Sequence, residues 1–269
     1  MGTLLREWRQ RRRLSQLDLA LAADSSARHV SCIETGKAQP SRAMVLRLSE
    51  VLDVPLRERN TLLMAGGFAP EYRESSLDDA EMAAARTALE TMLATHEPYP
   101  AVAVDRYWNV VTTNRAMGLF EGAVPEPIAD RTPNMYRLAL YPESPSAPSH
   151  LVNYRQVREN LLDRLLRQVK STGDPVLREL YDEVSGYPYP PELEEDDEEI
   201  AGPFAVPLRI RTPLGELRLF STMVAFGAPA DVTLSELAIE LFYPLDDFTA
   251  NALRVLAGEP APDGVPAPR

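Results

Sequence analysis

The sequence predicts two domains of different class: an all-α, five-helix head over residues 1–70, then an α+β domain built on a small antiparallel sheet. Three observations carry this. Charge is divided along the chain, with 11 Lys or Arg against 7 Asp or Glu in residues 1–70, a net of +4, and a net of −16 in the remaining 199 residues. Apolar residues in the first seventy recur at helical spacing between capping residues. Beyond Tyr99 two stretches alternate instead with the period of a strand.

In the head, Leu4, Leu5 and Trp8 give a short first helix its apolar face, with Arg9 and Arg11 to Arg13 supplying charge. Ser15 followed three residues later by Asp18, ahead of Leu19 and Ala20, reads as a capping box that starts helix two. That helix is expected to end at Ala23-Asp24, where Ser25 or Ser26 can cap a third helix carrying Val30 and Ile33 inward. The third helix should stop at Thr35-Gly36, with glycine in the left-handed cap position. A fourth is expected from near Ser41 through Leu52, and a fifth with Pro55 in its first turn, closed by Gly66-Gly67. Helices two and three, separated by a short turn, have the geometry of a helix-turn-helix.

Leu14-Ser15-Gln16 through Leu19-Ala20, Arg28 through Lys37, and Pro40-Ser41 together resemble the Cro/phage-repressor-like helix-turn-helix family, also called XRE, over about residues 3 to 65. Asp24 departs from the glycine common in that turn, yet aspartate tolerates turn conformations well. The resemblance implies a lambda-repressor-like head whose third helix, Ser26 to Glu34, enters the major groove of double-stranded operator DNA. Ser26, Ala27, Arg28 and Ser31 would then lie on its reading face. Arg28 is the leading base reader, because a guanidinium fork matches guanine O6 and N7. Gln16 takes the position that meets backbone phosphate, with Lys37, Arg42 and Arg11 to Arg13 as further phosphate contacts. The bland readings are solvated charge for the arginines, a small semi-buried filler for Cys32, core for Trp8, and a bundle-stabilising partner of a neighbouring Arg for Glu34.

The second part begins with a connecting helix, expected from Leu77 to Thr95 within a linking region 71–97. Tyr99 to Thr112 suggests two short strands around a turn at Asp105-Arg106, followed by a short helix or turn from Asn114 to Phe120. Amphipathic helices are expected over Ser149 to Lys170 and Asp174 to Val184. The acidic run Glu192 to Glu199 reads as a solvated loop. Phe204 to Thr212 and Leu217 to Phe226 form a hairpin through a four-residue connection at Pro213 to Glu216. Leu234 to Phe242 is read as a further strand, Asp246 to Ala257 as a closing helix, and residues 258–269 as a disordered tail.

Asp105 to Val110 with Asn114-Arg115-Ala116, and Pro207 through Leu217, resemble the ligand-binding domain of MmyB-like transcription regulators. That implies a PAS-like domain over residues 98–257 with a pocket for a small, partly apolar effector, fatty-acid-like compounds being one class. Tyr107, Trp108, Phe120, Phe204, Met223, Phe226 and Phe242 are candidate pocket residues, and ordinary core is the competing reading for each.

Function classes narrow accordingly. No stretch approaches ~18 consecutive apolar residues, and the start is basic and polar, which predicts neither a membrane span nor a secretory leader and hence a cytoplasmic protein. One cysteine and three scattered histidines offer no metal-ligand spacing, so neither a metal nor a cofactor is expected. No nucleophile elbow or phosphate-binding glycine loop occurs, which argues against an enzyme with a DNA-binding head. A homodimeric regulator reading an operator is the leading expectation; an antitoxin-like adaptor whose acidic domain binds a protein is the alternative.

Overall fold

The computed structural model describes residues 1–120, 126–129, 131–141, 151–189 and 206–258, with backbone alone at 119, 120, 126 and 127. The chain divides into two compact units. The first is Met1–Met82 together with Phe226–Ser235; the second is Ala83–Ala225 and the chain from Glu236 onward.

The first unit holds α1 (Gly2–Arg11), α2 (Gln16–Ala22), α3 (Ala27–Glu34), α4 (Arg42–Val51) and α5 (Leu56–Ala65), then a 3₁₀ turn at Ala80–Met82. Each start has a local cause. Ser15 and Asp18 form a reciprocal capping box, and the Ser26 and Ser41 hydroxyls accept from the backbone N–H groups of His29 and Met44. Pro55 stands one place before its expected position, as the residue preceding α5. Asp24, in the turn between α2 and α3, takes the left-handed conformation at φ 50°, as does Gly36 at φ 73° just beyond α3. The short helices are held by a shared core of Leu5, Trp8, Leu19, Ile33, Leu48 and Leu63, each nearly or fully buried.

Beyond α5 the Asn60 side chain pins the chain: its carbonyl accepts from the Glu71 and Tyr72 N–H groups, and its amide donates to the Tyr72 carbonyl. The helix expected from Leu77 begins later, after the 3₁₀ turn at Ala80–Met82. The second part of this unit is α11 (Val232–Ser235), introduced by Asp231, whose carboxylate accepts from Thr233 N–H and Ser75 N–H. Val232 N–H donates to the Arg73 carbonyl and the Thr233 hydroxyl to that of Ser75, so this short helix is tied to residues 73–75.

In the second unit, α6 (Ala83–Thr95) precedes β1 (Ala101–Val104) and β2 (Val110–Thr113). A 3₁₀ turn (Arg115–Phe120), α7 (Glu126–Ala129), α8 (Met135–Leu140), α9 (Tyr154–Thr172) and α10 (Pro175–Ser185) follow. The chain closes with β3 (Leu208–Thr212), β4 (Gly215–Ala225), β5 (Ala238–Pro244) and α12 (Asp247–Leu256). The strands form one antiparallel sheet in the order β2-β1-β5-β4-β3, which places β5 at its centre.

Strand alternation sorts the two faces. Ala101, Ala103 and Ile239 pack with Leu89 and Leu93 of α6, while Val102, Val104, Leu217, Leu219 and Phe242 join the larger core with α8, α9 and α10. The β3–β4 connection is tighter than the expected four residues, because Thr212 pairs with Gly215 and leaves Pro213-Leu214 as the turn. Gly215 has φ 132°, a backbone conformation that calls for glycine, and a Cβ there would also push aside the tip of the Phe248 ring at 2.9 Å. The segment expected as one strand, Leu234 to Phe242, is split between the end of α11 and β5, because the Asp231 cap turns its first residues into helix.

Candidate functional site

Among the described residues two places can carry function: the exposed side of α3 in the first unit and a cavity against the sheet of the second.

The α3 surface is built on a polar centre. Glu34, whose side chain is 1% exposed, receives two hydrogen bonds from the Arg9 guanidinium at 2.6 and 2.9 Å and one from the Gln16 amide at 2.8 Å. Burial alone would raise the Glu34 pKa, but Arg9 and Gln16 outweigh it and hold the carboxyl below its ordinary value. Arg9 is shifted upward in turn, chiefly by its hydrogen bond to Glu34. This cluster ties α1 and the start of α2 to the end of α3, which fixes the direction in which α3 presents its outer side.

On that side Arg28 is exposed, as are Ser26 and Lys37, while Ala27 and Ser31 are half-buried. Ser26 spends its hydroxyl on the α3 cap, and Ala27 packs against the core as well as facing outward. Gln16 has one amide N–H engaged by Glu34. Arg42 is ion-paired with Glu71. Arg12 donates to the Leu52 and Asp53 carbonyls, so it closes the end of α4. The guanidinium groups of Arg11 and Arg12 also lie over the Trp8 ring.

The cavity in the second unit measures about 410 Å³, within the usual range for small-molecule sites. Its sheet wall is Val102, Val110, Leu208, Ile210 and Phe242, and its helical wall is Met135, Tyr136, Ala139, Val157 and Leu161. Most of the lining is apolar, with a polar pole where Arg164, Glu240, Ser221 and Tyr136 come together; Asn160 and Thr113 also line it.

Register explains that pole. Ser221 pairs with Phe242 across β4 and β5, and Val102 pairs with Glu240 across β1 and β5, so Glu240 projects from the central strand onto the cavity face. The Ser221 hydroxyl donates to Glu240 Oε1 at 2.8 Å. Arg164, one turn along α9 from Leu161, donates through Nε to the Tyr136 hydroxyl at 3.1 Å. Its guanidinium lies 4.3 Å from the Trp108 ring centroid and 3.6 Å from Glu240 Oε1. Burial alone would lower the Arg164 pKa; Glu240 and Tyr136 offset it, and the guanidinium is held above its ordinary value. Burial pushes the Tyr136 hydroxyl up.

Of the aromatic candidates from the sequence, Phe242 lines the cavity. Trp108 lies beneath Arg164, with its indole N–H donating to Gln168, and Tyr107 packs beside it against the core. Met223 is exposed on β4. Phe226 belongs to the first unit. The Phe120 side chain, Phe204, the acidic run 192–199 and the tail from 259 lie outside the described residues. Arg164, Glu240, Ser221 and Tyr136 were not singled out from the sequence. A signal existed for two of them: Glu240 interrupts the apolar run Ile239 to Phe242, and Arg164 sits in the inward stripe of Leu161 and Leu165.

Among the described residues no group of three or more His, Cys, Asp or Glu is placed to hold a metal ion. No helix among them is long and apolar enough to cross a membrane.

Comparison with known proteins agrees with this division. A helix-turn-helix domain profile matches residues 1–62, and the profile of the MmyB-like transcription regulator ligand binding domain matches residues 85–256. A search of curated proteins returns no match. A similar solved structure, described as an RNA-binding light-oxygen-voltage receptor, aligns with 94% of this chain at 12% identity and a TM-score of 0.26. The chain spans 59% of that receptor's length, and likeness at this level carries no argument. The second profile covers well over half of the sequence and includes the entire sheet and its cavity, so the chain belongs to the MmyB-like transcription regulator ligand binding domain family, here joined to a helix-turn-helix head.

Proposed function

We propose that this protein is a homodimeric, sequence-specific DNA-binding regulator whose hold on its operator is set by a small, partly apolar ligand. The observation that carries the reading is the cavity of about 410 Å³, mostly apolar with a polar pole, in the same chain as a helix-turn-helix head. A cavity of that size favours a sensor over an adaptor, which would need a filled core and a broad exposed apolar patch. Compounds with a fatty-acid-like alkyl chain are one class whose apolar length suits its walls, whatever polar head they carry.

On the DNA side, Arg28 reads a base edge from the major groove and Ala27 meets a thymine methyl. Ser26 and Ser31 lie on the same reading face. Gln16, Lys37 and Arg42 meet backbone phosphate, and Arg42 must first exchange Glu71 for a phosphate oxygen. One helix of eight residues offers few base contacts, so two heads on matched half-sites supply the specificity. The ligand acts by binding one arrangement of the dimer more tightly than the other.

Selection of bound duplexes from a random-sequence pool by the intact protein tests the DNA half of this reading. Enrichment of a two-fold symmetric site is the expected result. A pool that remains random, with binding that vanishes as salt rises, would leave only phosphate attraction and remove the claim of specificity.

A further inference from the structure

We infer that the cavity takes an amphiphile with an uncharged, hydrogen-bonding head, such as a hydroxyl or primary amide, and discriminates against a free carboxylate or an amine. This rests on the reading of the cavity as a ligand site and adds the chemistry of the ligand's polar end.

The charges at the pole balance locally. Among the described lining residues, Arg164 and Glu240 are the two formally charged side chains, and they have opposite sign. Glu240 is 6% exposed and accepts from Ser221 at 2.8 Å. The Arg164 guanidinium is held by the Tyr136 hydroxyl at 3.1 Å and the Trp108 ring at 4.3 Å, and its 3.6 Å separation from Glu240 Oε1 is longer than a hydrogen bond. The pole is therefore a loose ion pair: a donor group and an acceptor group side by side, in ionic contact but beyond short hydrogen-bond distance, with no net charge.

A head that both donates and accepts completes this pair, donating to Glu240 while accepting from Arg164. A carboxylate reaching Arg164 brings a second negative charge next to Glu240, whose side chain is only 7% exposed, so the two like charges repel. An ammonium reaching Glu240 meets Arg164 in the same way. Repulsion of the wrong head is an effective source of selectivity even where the apolar tail contributes the same affinity to every ligand.

The test is a set of four probes with one chain length, 1-decanol, decanamide, decanoate and decylamine, titrated calorimetrically into the intact protein near neutral pH. Decanol and decanamide should bind about tenfold or more tightly than either ion. In Glu240→Gln the Arg164 charge is left unbalanced, so decanoate should gain about tenfold while decanol changes little. Decanoate binding to the unaltered protein as tightly as decanol overturns the inference while leaving the ligand site standing. Absence of binding by all four overturns the ligand-site reading and the inference with it. Should Glu240→Gln fail to fold, the ranking on the unaltered protein decides alone.

Discussion

The first unit and the sheet unit each set a buried Glu against an Arg, but they use the pair differently. In the first, Arg9 grips Glu34 with two short hydrogen bonds and Gln16 adds a third, so the pair is satisfied internally and serves shape. In the second, Arg164 and Glu240 stand 3.6 Å apart on the wall of a cavity, each held by a neutral neighbour. The closed pair sets the direction of an outward-facing helix, and the open pair leaves hydrogen-bonding capacity for something else. A buried ion pair is weak testimony to function by itself; its geometry and what borders it separate a structural brace from a recognition element.

The largest effect expected from this contrast is on the closed pair. Glu34→Ala leaves Arg9 and Gln16 without their acceptor and should cost about 3–5 kcal/mol of stability in the first unit, read by chemical denaturation. A loss below about 1 kcal/mol would mean the brace is incidental. Next comes the outward face. Arg28→Ala should weaken binding to a selected site by about 1–3 kcal/mol in fluorescence anisotropy while affecting random duplex far less. Equal losses on both would reduce Arg28 to a phosphate contact.

The open pair is sharpened by filling the space beside it. Ala139→Trp, on the helical wall, should abolish the thermal stabilisation given by decanol yet leave affinity for selected DNA in the ligand-free protein unchanged. Retained stabilisation would place the ligand elsewhere.

The smallest effect concerns a third arrangement, on the surface of the sheet unit. Glu183 accepts from Arg137 and from the Tyr187 hydroxyl, and the Arg137 hydrogen bond leads in lowering its pKa from 4.5 to about 2. Because the folded value is depressed, its stabilisation is present above pH ~4.5 and is lost as pH falls from there toward ~2. Glu183→Gln should flatten that part of the melting temperature against pH curve; an unchanged slope would assign the acid sensitivity to other carboxylates.

Much of the fold was legible because it is written in local chemistry. Ser15 with Asp18, Ser26, Ser41 and Gly36 mark helix ends through hydrogen bonds that reach only three or four residues, and they lie where the sequence places them. Strand alternation likewise gave β1, β2, β3 and β4. Less legible was Leu234 to Phe242, where an apolar run suits either element and the deciding cap, Asp231, lies just upstream. The association of Phe226–Ser235 with the first unit was not visible, since it depends on hydrogen bonds between residues about 156 positions apart.

The cavity was the hardest part to read. Val102, Leu161 and Phe242 are the residue types that fill any core, and sequence alone does not say where packing stops. Aromatic content drew attention to Tyr107 and Trp108, although Trp108 serves as the bed on which Arg164 lies. The stronger clue was polar: charged residues at inward positions of a strand and a helix, Glu240 and Arg164, are costly to bury without a purpose.

If the proposed function holds, occupancy of the cavity changes the hold on DNA. The direct measurement is the affinity of the intact protein for its selected duplex at fixed salt, with and without saturating decanol, beside the Ala139→Trp variant. The expected result is at least about a fivefold change in affinity for the unaltered protein and none for the variant. Equal affinities for the unaltered protein, with decanol shown calorimetrically to be bound, would contradict it.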